Sequence, residues 1–252
     1  MSLAGQHAFV TGGGRGIGRA IAAALSAAGS AVTVIGRSEA PLREAVAAGE
    51  AAGCGIADVT DPAALKRQVA AAEAARGPIA ILVNNAGAAE SAPFLKTEPS
   101  LFAAMWNVHL MGAVNASQAV LPGMIARGFG RIINIASVAG LKGYAYVTAY
   151  CAAKHGLVGL TRALAAETAA RGITVNAVCP GYTDTAMMRE SIERVVAKTG
   201  RTHADVRAEY ERDTPLGRLI KPQEVAAAVI YLCSPEAAAV TGTTLAVGGG
   251  EM

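Results

Sequence analysis

Tyr150 and Lys154 stand four residues apart in the stretch Y-C-A-A-K, in a chain where only 16% of residues are charged and 4% are aromatic. On a helix, positions i and i+4 lie one above the other on a single face, so a phenol and an ammonium would meet there. Free tyrosine, with a pKa of about 10, is poorly matched to proton transfer at neutral pH. A neighbouring cation favours the phenolate, and a drop of roughly two or three units corresponds to about 3–4 kcal/mol of differential interaction. The pair therefore reads as a general acid/base, Tyr150, tuned by a cation, Lys154. Ser137, thirteen residues before Tyr150, closes the strand-like stretch R-I-I-N-I-A-S, where its hydroxyl can orient a substrate oxygen.

A second constellation is T-G-G-G-R-G-I-G, Thr11 to Gly18, between an apolar strand pattern and a helical one. Its spacing is TGxxxGxG rather than GxGxxG, because Arg19 and Ile21 stand where a closing glycine would fall. Gly12, Gly14, Gly16 and Gly18, with Arg15 and Ile17 between them, let backbone N–H groups approach a pyrophosphate at the positive end of a helix. This is a dinucleotide-binding turn. Where an acidic residue after the second strand would hold the ribose hydroxyls of NAD, this chain has Gly36 followed by Arg37. Arg37, and Arg15 beside it, suit a 2′-phosphate through charge-assisted bonds of roughly 1.5–3 kcal/mol each, so NADP(H) is favoured over NAD(H).

The elements that must position these residues follow from periodicity. Apolar runs of strand length (HAFVT, AVTVI, CGIAD, IAILVNN, RIINIAS, ITVNAV and TTLAV) alternate with Ala-rich helical patterns. The helices are expected near 16–28, 39–51, 61–76, 99–127 and 147–171. Such alternation predicts an α/β fold: one doubly wound Rossmann-type domain over residues 1–252, with a seven-stranded parallel sheet. Residues 182–214 hold 13 Asp, Glu, Lys or Arg in 33 positions and interrupt the alternation, which predicts a helical lid insertion.

Composition removes other classes. The 252 residues, 52% of them hydrophobic, suffice for one core, and the net charge of +3 is scattered without a basic run, so nucleic acid is not an expected partner. Cys54, Cys151, Cys179 and Cys233 are widely spaced, with no CxxC and no secretory signal, and are expected as reduced core residues of a cytoplasmic protein. The uncharged stretch 99–126 contains Asn107, His109, Asn115, Gln118 and Pro122, which argues against a membrane span. The four histidines have no metal-ligand spacing, so no metal is expected.

T-G-G-G-R-G-I-G, N-N-A-G at Asn84 to Gly87, Ser137 and YxxxK, in this order and along essentially the whole chain, resemble the short-chain dehydrogenase/reductase family. The resemblance implies hydride transfer between a nicotinamide and a carbonyl, with Tyr150 as acid/base and Lys154 also holding the nicotinamide ribose. It implies that Asn107 bends its helix and holds a proton-relay water. Asp58, with Val59 beside it, is implied to meet the adenine, and Asn84, Ala86 and Gly87 to shape the adenosine side; a purely structural Asn84 is an equal alternative. P-G-Y-T-D-T resembles the loop that holds the nicotinamide carboxamide, bringing in Pro180, Gly181, Thr183 and Thr185, although Thr183 replaces the usual aliphatic residue.

The substrate is expected against Ser137 and Tyr150, lined by Phe94, Leu141, Tyr144, Tyr146, Met187 and Met188, an apolar pocket for a ketone with a hydrocarbon arm. The lid and the stretch P-L-G-R-L-I-K-P-Q-E resemble ketoreductases of acyl thioesters, including polyketide ketoreductases. Arg127 and Arg171 are open to two readings, contacts to coenzyme A or an acyl carrier protein, or complements to helix dipoles. The family resemblance also implies a homodimer or homotetramer. Two alternatives stay open: an NAD-dependent secondary-alcohol or 3-hydroxyacyl-CoA dehydrogenase, and a non-catalytic dinucleotide sensor.

Overall fold

The computed structural model describes residues 2–251. Strands β1 (His7–Thr11), β2 (Ala31–Gly36), β3 (Gly53–Ile56), β4 (Ile79–Asn84), β5 (Gly130–Ile135), β6 (Ile173–Pro180) and β7 (Thr244–Val247) form one sheet in the order β3-β2-β1-β4-β5-β6-β7. Every pairing is parallel. Strands buried on both faces carry near-continuous apolar runs, and β1, β5 and β6 are buried at every position.

The helices divide between the faces. On one face α1 (Gly16–Ala27), α2 (Glu39–Ala47) and α9 (Pro222–Cys233) pack Ile21, Leu25, Leu42, Val225 and Val229 against Ala8, Val10, Val34 and Val83. On the other, α3 (Pro62–Arg76), α5 (Gly112–Arg127) and α6 (Thr148–Thr168) pack Leu65, Val69, Val120, Met124 and Ala165 against Phe9, Ile35, Leu82, Ile132 and Val175. Ala8 and Val10 face one layer and Phe9 the other, as the period of two requires. The chain reverses its direction of travel across the sheet between β1 and β4, and the crevice beyond their carboxyl ends is where ligands of such sheets bind.

A polar thread crosses the second layer. Asn84 stands opposite Asn134 in the β4–β5 pairing and donates to its Oδ1 at 2.9 Å. Asn134 in turn donates to Thr161 Oγ1 at 2.8 Å, and Thr161 donates to the Leu157 carbonyl within α6.

Three expectations need correcting. The long helix predicted over 99–127 is α4 (Pro99–Trp106), a π turn at Asn107–Met111, and α5. Cys54 is exposed rather than core, because β3 is the edge strand and its alternate side chains face out; Cys151, Cys179 and Cys233 are buried, and all four are free thiols. The segment 182–214 is helical, with α7 (Ala186–Thr199) and α8 (His203–Asp213), but Met188 turns into that segment's own small core with Ile192, Val206 and Leu219 instead of lining the pocket. Among the described residues no helix is long and apolar enough to cross a membrane, and no group of His, Cys, Asp or Glu is placed to hold a metal.

Candidate active site

The glycine turn leaves β1 and enters α1 without any side-chain cap, and no acidic residue stands in the helix's first turn. Those free N–H groups and the positive helix end fit a phosphate. Gly12 takes a left-handed φ of +65°, and a Cβ there would meet the Ala86 backbone at 2.9 Å, so only glycine fits the crossing. Gly14 and Gly18 are buried, and Gly16, Ile17 and the exposed Arg15 complete the cradle. Arg37 is exposed just past β2, and neither arginine makes an ion pair among the described residues. Both guanidinium groups therefore remain available to a phosphate.

On the β4 side, Asn84 spends its Nδ2 on Ser117 and Asn134, while its buried Oδ1 has no hydrogen-bond partner among the described residues. The residue that touches the turn is its neighbour Asn85, whose Nδ2 donates to the carbonyls of Thr11 at 3.0 Å and Gly12 at 3.2 Å. Thr11 answers by accepting from the Asn85 and Ala86 backbone N–H groups through Oγ1. Both residues were missed from sequence, although the doubled asparagine at a strand end was the available signal: alternation that turns Asn84 inward leaves Asn85 beyond the last strand position. Asp58 closes a turn through Thr60, whose backbone and hydroxyl both donate to Oδ1 and hold the carboxyl below its usual range. Val59 is buried behind it.

Ser137, Tyr150 and Lys154 converge at the carboxyl ends of β5 and β6. Ser137 is 9% exposed, accepts from Ala139 N at 3.1 Å and reaches the Pro180 carbonyl at 3.5 Å. Tyr150 and Lys154, one turn apart on α6, place the ammonium 5.5 Å from the ring centroid, and Lys154 Nζ donates to the Ile135 carbonyl at 2.8 Å. The expected lowering of the phenol is not what the surroundings produce. Burial disfavours each charged form, so Tyr150 is pushed up to about 12, opposed by the nearby Ser137 hydroxyl, and Lys154 is pushed down to about 7. Asn107 opens the π turn, with its carbonyl accepting from Gly112 N; its side chain is exposed and bonds to none of the three.

His109, to which the sequence reading assigns no chemistry, is buried against the site. Its ring meets Tyr150 edge-on at 5.1 Å, its Nε2 donates to the Ala88 carbonyl at 2.7 Å, and Gly87 passes so close that a Cβ would strike the imidazole. Burial, with the Lys154 charge adding to it, lowers its pKa to about 3, so the ring is neutral. Across the crevice, β6 ends at Pro180 and Gly181 bonds back to β7. Thr183 turns its hydroxyl to the Gly181 carbonyl, whereas Thr185 caps α7 through Met188 N and lies against Gly16. Arg127 spends a guanidinium N–H on the Ile79 carbonyl at 2.6 Å.

The short chain dehydrogenase family model matches residues 6–195, which spans the turn, the Ser137–Tyr150–Lys154 group and the Pro180 loop. The chain belongs to this family. As a short-chain dehydrogenase it is 43% identical over 252 residues to the acetoacetyl-CoA reductase of Shinella zoogloeoides, with 97% of each chain covered. It is 41% identical to the 3-oxoacyl-acyl-carrier-protein reductase of Vibrio harveyi, covering 99% of this chain and 98% of that one. The actinorhodin polyketide ketoreductase solved with NADPH superposes with a TM-score of 0.94 at 37% identity, covering 98% and 97% of the two chains. This short-chain dehydrogenase is thus an oxidoreductase whose relatives include reductases of keto groups.

Proposed function

We propose that the chain is an NADPH-dependent reductase of 3-oxoacyl thioesters or similar ketones. The observation that carries this reading is the meeting of Ser137, Tyr150 and Lys154 at the carboxyl ends of β5 and β6, beside an uncapped glycine turn. The turn and α1 hold the pyrophosphate, Arg15 and Arg37 the 2′-phosphate, and the Pro180–Thr185 loop the nicotinamide end. A bound dihydronicotinamide supplies the hydride.

The remaining work belongs to this chain's side chains. Ser137 and Tyr150 donate to the carbonyl oxygen and orient it. As that oxygen becomes an alkoxide, the Tyr150 O–H bond breaks and the proton passes to it. Burial suits Tyr150 to this role, because it keeps the phenol protonated at neutral pH, and Lys154, one turn along α6, would hold the nicotinamide ribose. Phe94 and Tyr146, both largely exposed, are assigned on this reading to an entering acyl arm. A homodimer or homotetramer through α4, α5 and α6 accounts for exposed Trp106, Met111 and Ile125.

Two variants test the reading with acetoacetyl-CoA and NADPH. Tyr150→Phe is expected to lose at least about 10²-fold in kcat with NADPH binding unchanged; wild-type turnover in that variant would overturn the mechanism. Arg37→Ala is expected to remove a preference for NADPH over NADH of about tenfold, or about 1.4 kcal/mol, in calorimetric titration. Equal binding of the two cofactors by the unaltered chain would overturn the NADPH assignment and favour an NAD-linked dehydrogenase.

A further inference from the structure

Glu251, beyond β7, is a carboxylate only 4% exposed. Burying a charge is costly unless it is held by partners, so its contacts show what it is for. Oε1 accepts a hydrogen bond from the Tyr144 hydroxyl, and the Lys142 ammonium stands 3.8 Å from the same oxygen. Oε2 has no hydrogen-bond partner among the described residues and lies against Gly181, where a Cβ would come within 2.9 Å of it.

Two loops therefore meet at one side chain. The first, 141–147, leads into α6 and Tyr150; the second, 180–182, follows β6. They also touch each other, since the Tyr144 ring packs edge-on to Tyr182 at 6.2 Å, and Tyr182 packs on Tyr210 of α8 at 4.8 Å. Behind them, Gly248 lies against Val138, next to Ser137, at a distance where a Cβ would be 3.0 Å from Cγ1. Neither Glu251 nor Tyr144 touches a catalytic group in any hydrogen bond of the structure, so their influence runs through the loops.

We propose that Glu251 is a positioning residue: its carboxylate clamps the 141–147 loop to the 180–182 loop and so fixes the wall against which the ketone binds. That the wall faces a ketone rests on the function proposed above; the clamp itself rests only on the contacts.

The test uses the full chain, with Glu251→Ala, Glu251→Gln and Tyr144→Phe. Hydrogen exchange is read at the amides of 141–147 and 181–183 without added ligand. Glu251→Ala and Tyr144→Phe are expected to speed exchange in the 141–147 loop by about tenfold, and Glu251→Ala also in 181–183. Glu251→Gln, whose amide oxygen still accepts from Tyr144, is expected to restore most of the protection. With acetoacetyl-CoA and NADPH the loss should fall on KM, by about tenfold, more than on kcat, and the Ala/Phe double variant should be no worse than the worse single.

Unchanged exchange in both single variants would overturn the clamp, as would additive losses in the double. Should Glu251→Ala fail to fold, Tyr144→Phe decides, because it removes the bond and keeps the ring. A wild-type chain that turns over no ketone would overturn the proposed function and leave the exchange readout to decide the clamp.

Discussion

Two glycine-to-alanine changes inside helices should have opposite signs. Gly18 sits in the first turn of α1 with an ordinary helical backbone, so alanine there would gain up to about 1 kcal/mol in helix propensity. Its Cβ, however, would come within 2.3 Å of the Gly12 carbonyl oxygen and 2.4 Å of Asn85 Nδ2, squarely in the bond those two atoms make. Overpacking of this kind costs about 1–3 kcal/mol, and the lost bond about 1 kcal/mol more. The net destabilisation is about 2 kcal/mol, because the obstacle includes backbone that cannot step aside. Gly159, in the middle of α6, has nothing within 4 Å of the same built atom and should gain about 0.5–1 kcal/mol. For a chain of this size, scanning calorimetry should show Gly18→Ala melting about 4–8 °C below the parent and Gly159→Ala about 1–4 °C above it. A Gly18→Ala protein as stable as the parent would refute the steric argument.

Removing the Asn85 side chain by Asn85→Ala should weaken NADPH by loosening the glycine turn from β4, with a stability loss of about 1–3 kcal/mol; an unchanged dissociation constant would sink the link. His7, bonded to the Gly77 carbonyl and Thr33, and His109 are both held neutral by burial, with pKa values below the ordinary 6.5. The unfolded chain therefore binds more protons below that value, and their contribution, complete above pH 6.5, is lost as pH falls toward about 3 for His109. Urea unfolding at pH 7 and pH 5 should show the decline, smaller in His7→Gln; equal stability at both would contradict it.

What was readable in the sequence was local. The seven strands follow from short apolar runs, the turn from glycines within eight residues, and the Tyr150–Lys154 face from a spacing of four. What was not readable depends on partners brought together by the fold. Asn85 meets Thr11 across 74 residues, and Tyr144 meets Glu251 across 107. The raised phenol pKa of Tyr150 had the same origin: the spacing announces a cation nearby, but the cost of leaving water depends on how deeply both groups are buried. The π turn at Asn107 is a backbone bonding pattern with no residue type of its own. Cys54 was misjudged because edge and central strands read alike until the order of the sheet is known.

The thread from Asn84 through Asn134 to Thr161 has a consequence for how the chain avoids misassembly. In a sheet covered on both sides, sliding β5 along β4 by one residue would set Ile132 and Ile133 opposite Ile81 and Leu82 instead of Leu82 and Val83, and for these residues hydrophobicity alone would punish the slip only weakly. The asparagines change that balance, because a slipped pairing would strand two carboxamides in a dry interior, at a cost of about 1–3 kcal/mol for each unsatisfied group. Only one alignment satisfies Asn134 from both sides, and it is the alignment that brings Ser137 and α6 to the same end of the sheet. The thread thus widens the energy gap between the native register and its slipped neighbours, in a sheet whose apolar faces alone would separate them poorly.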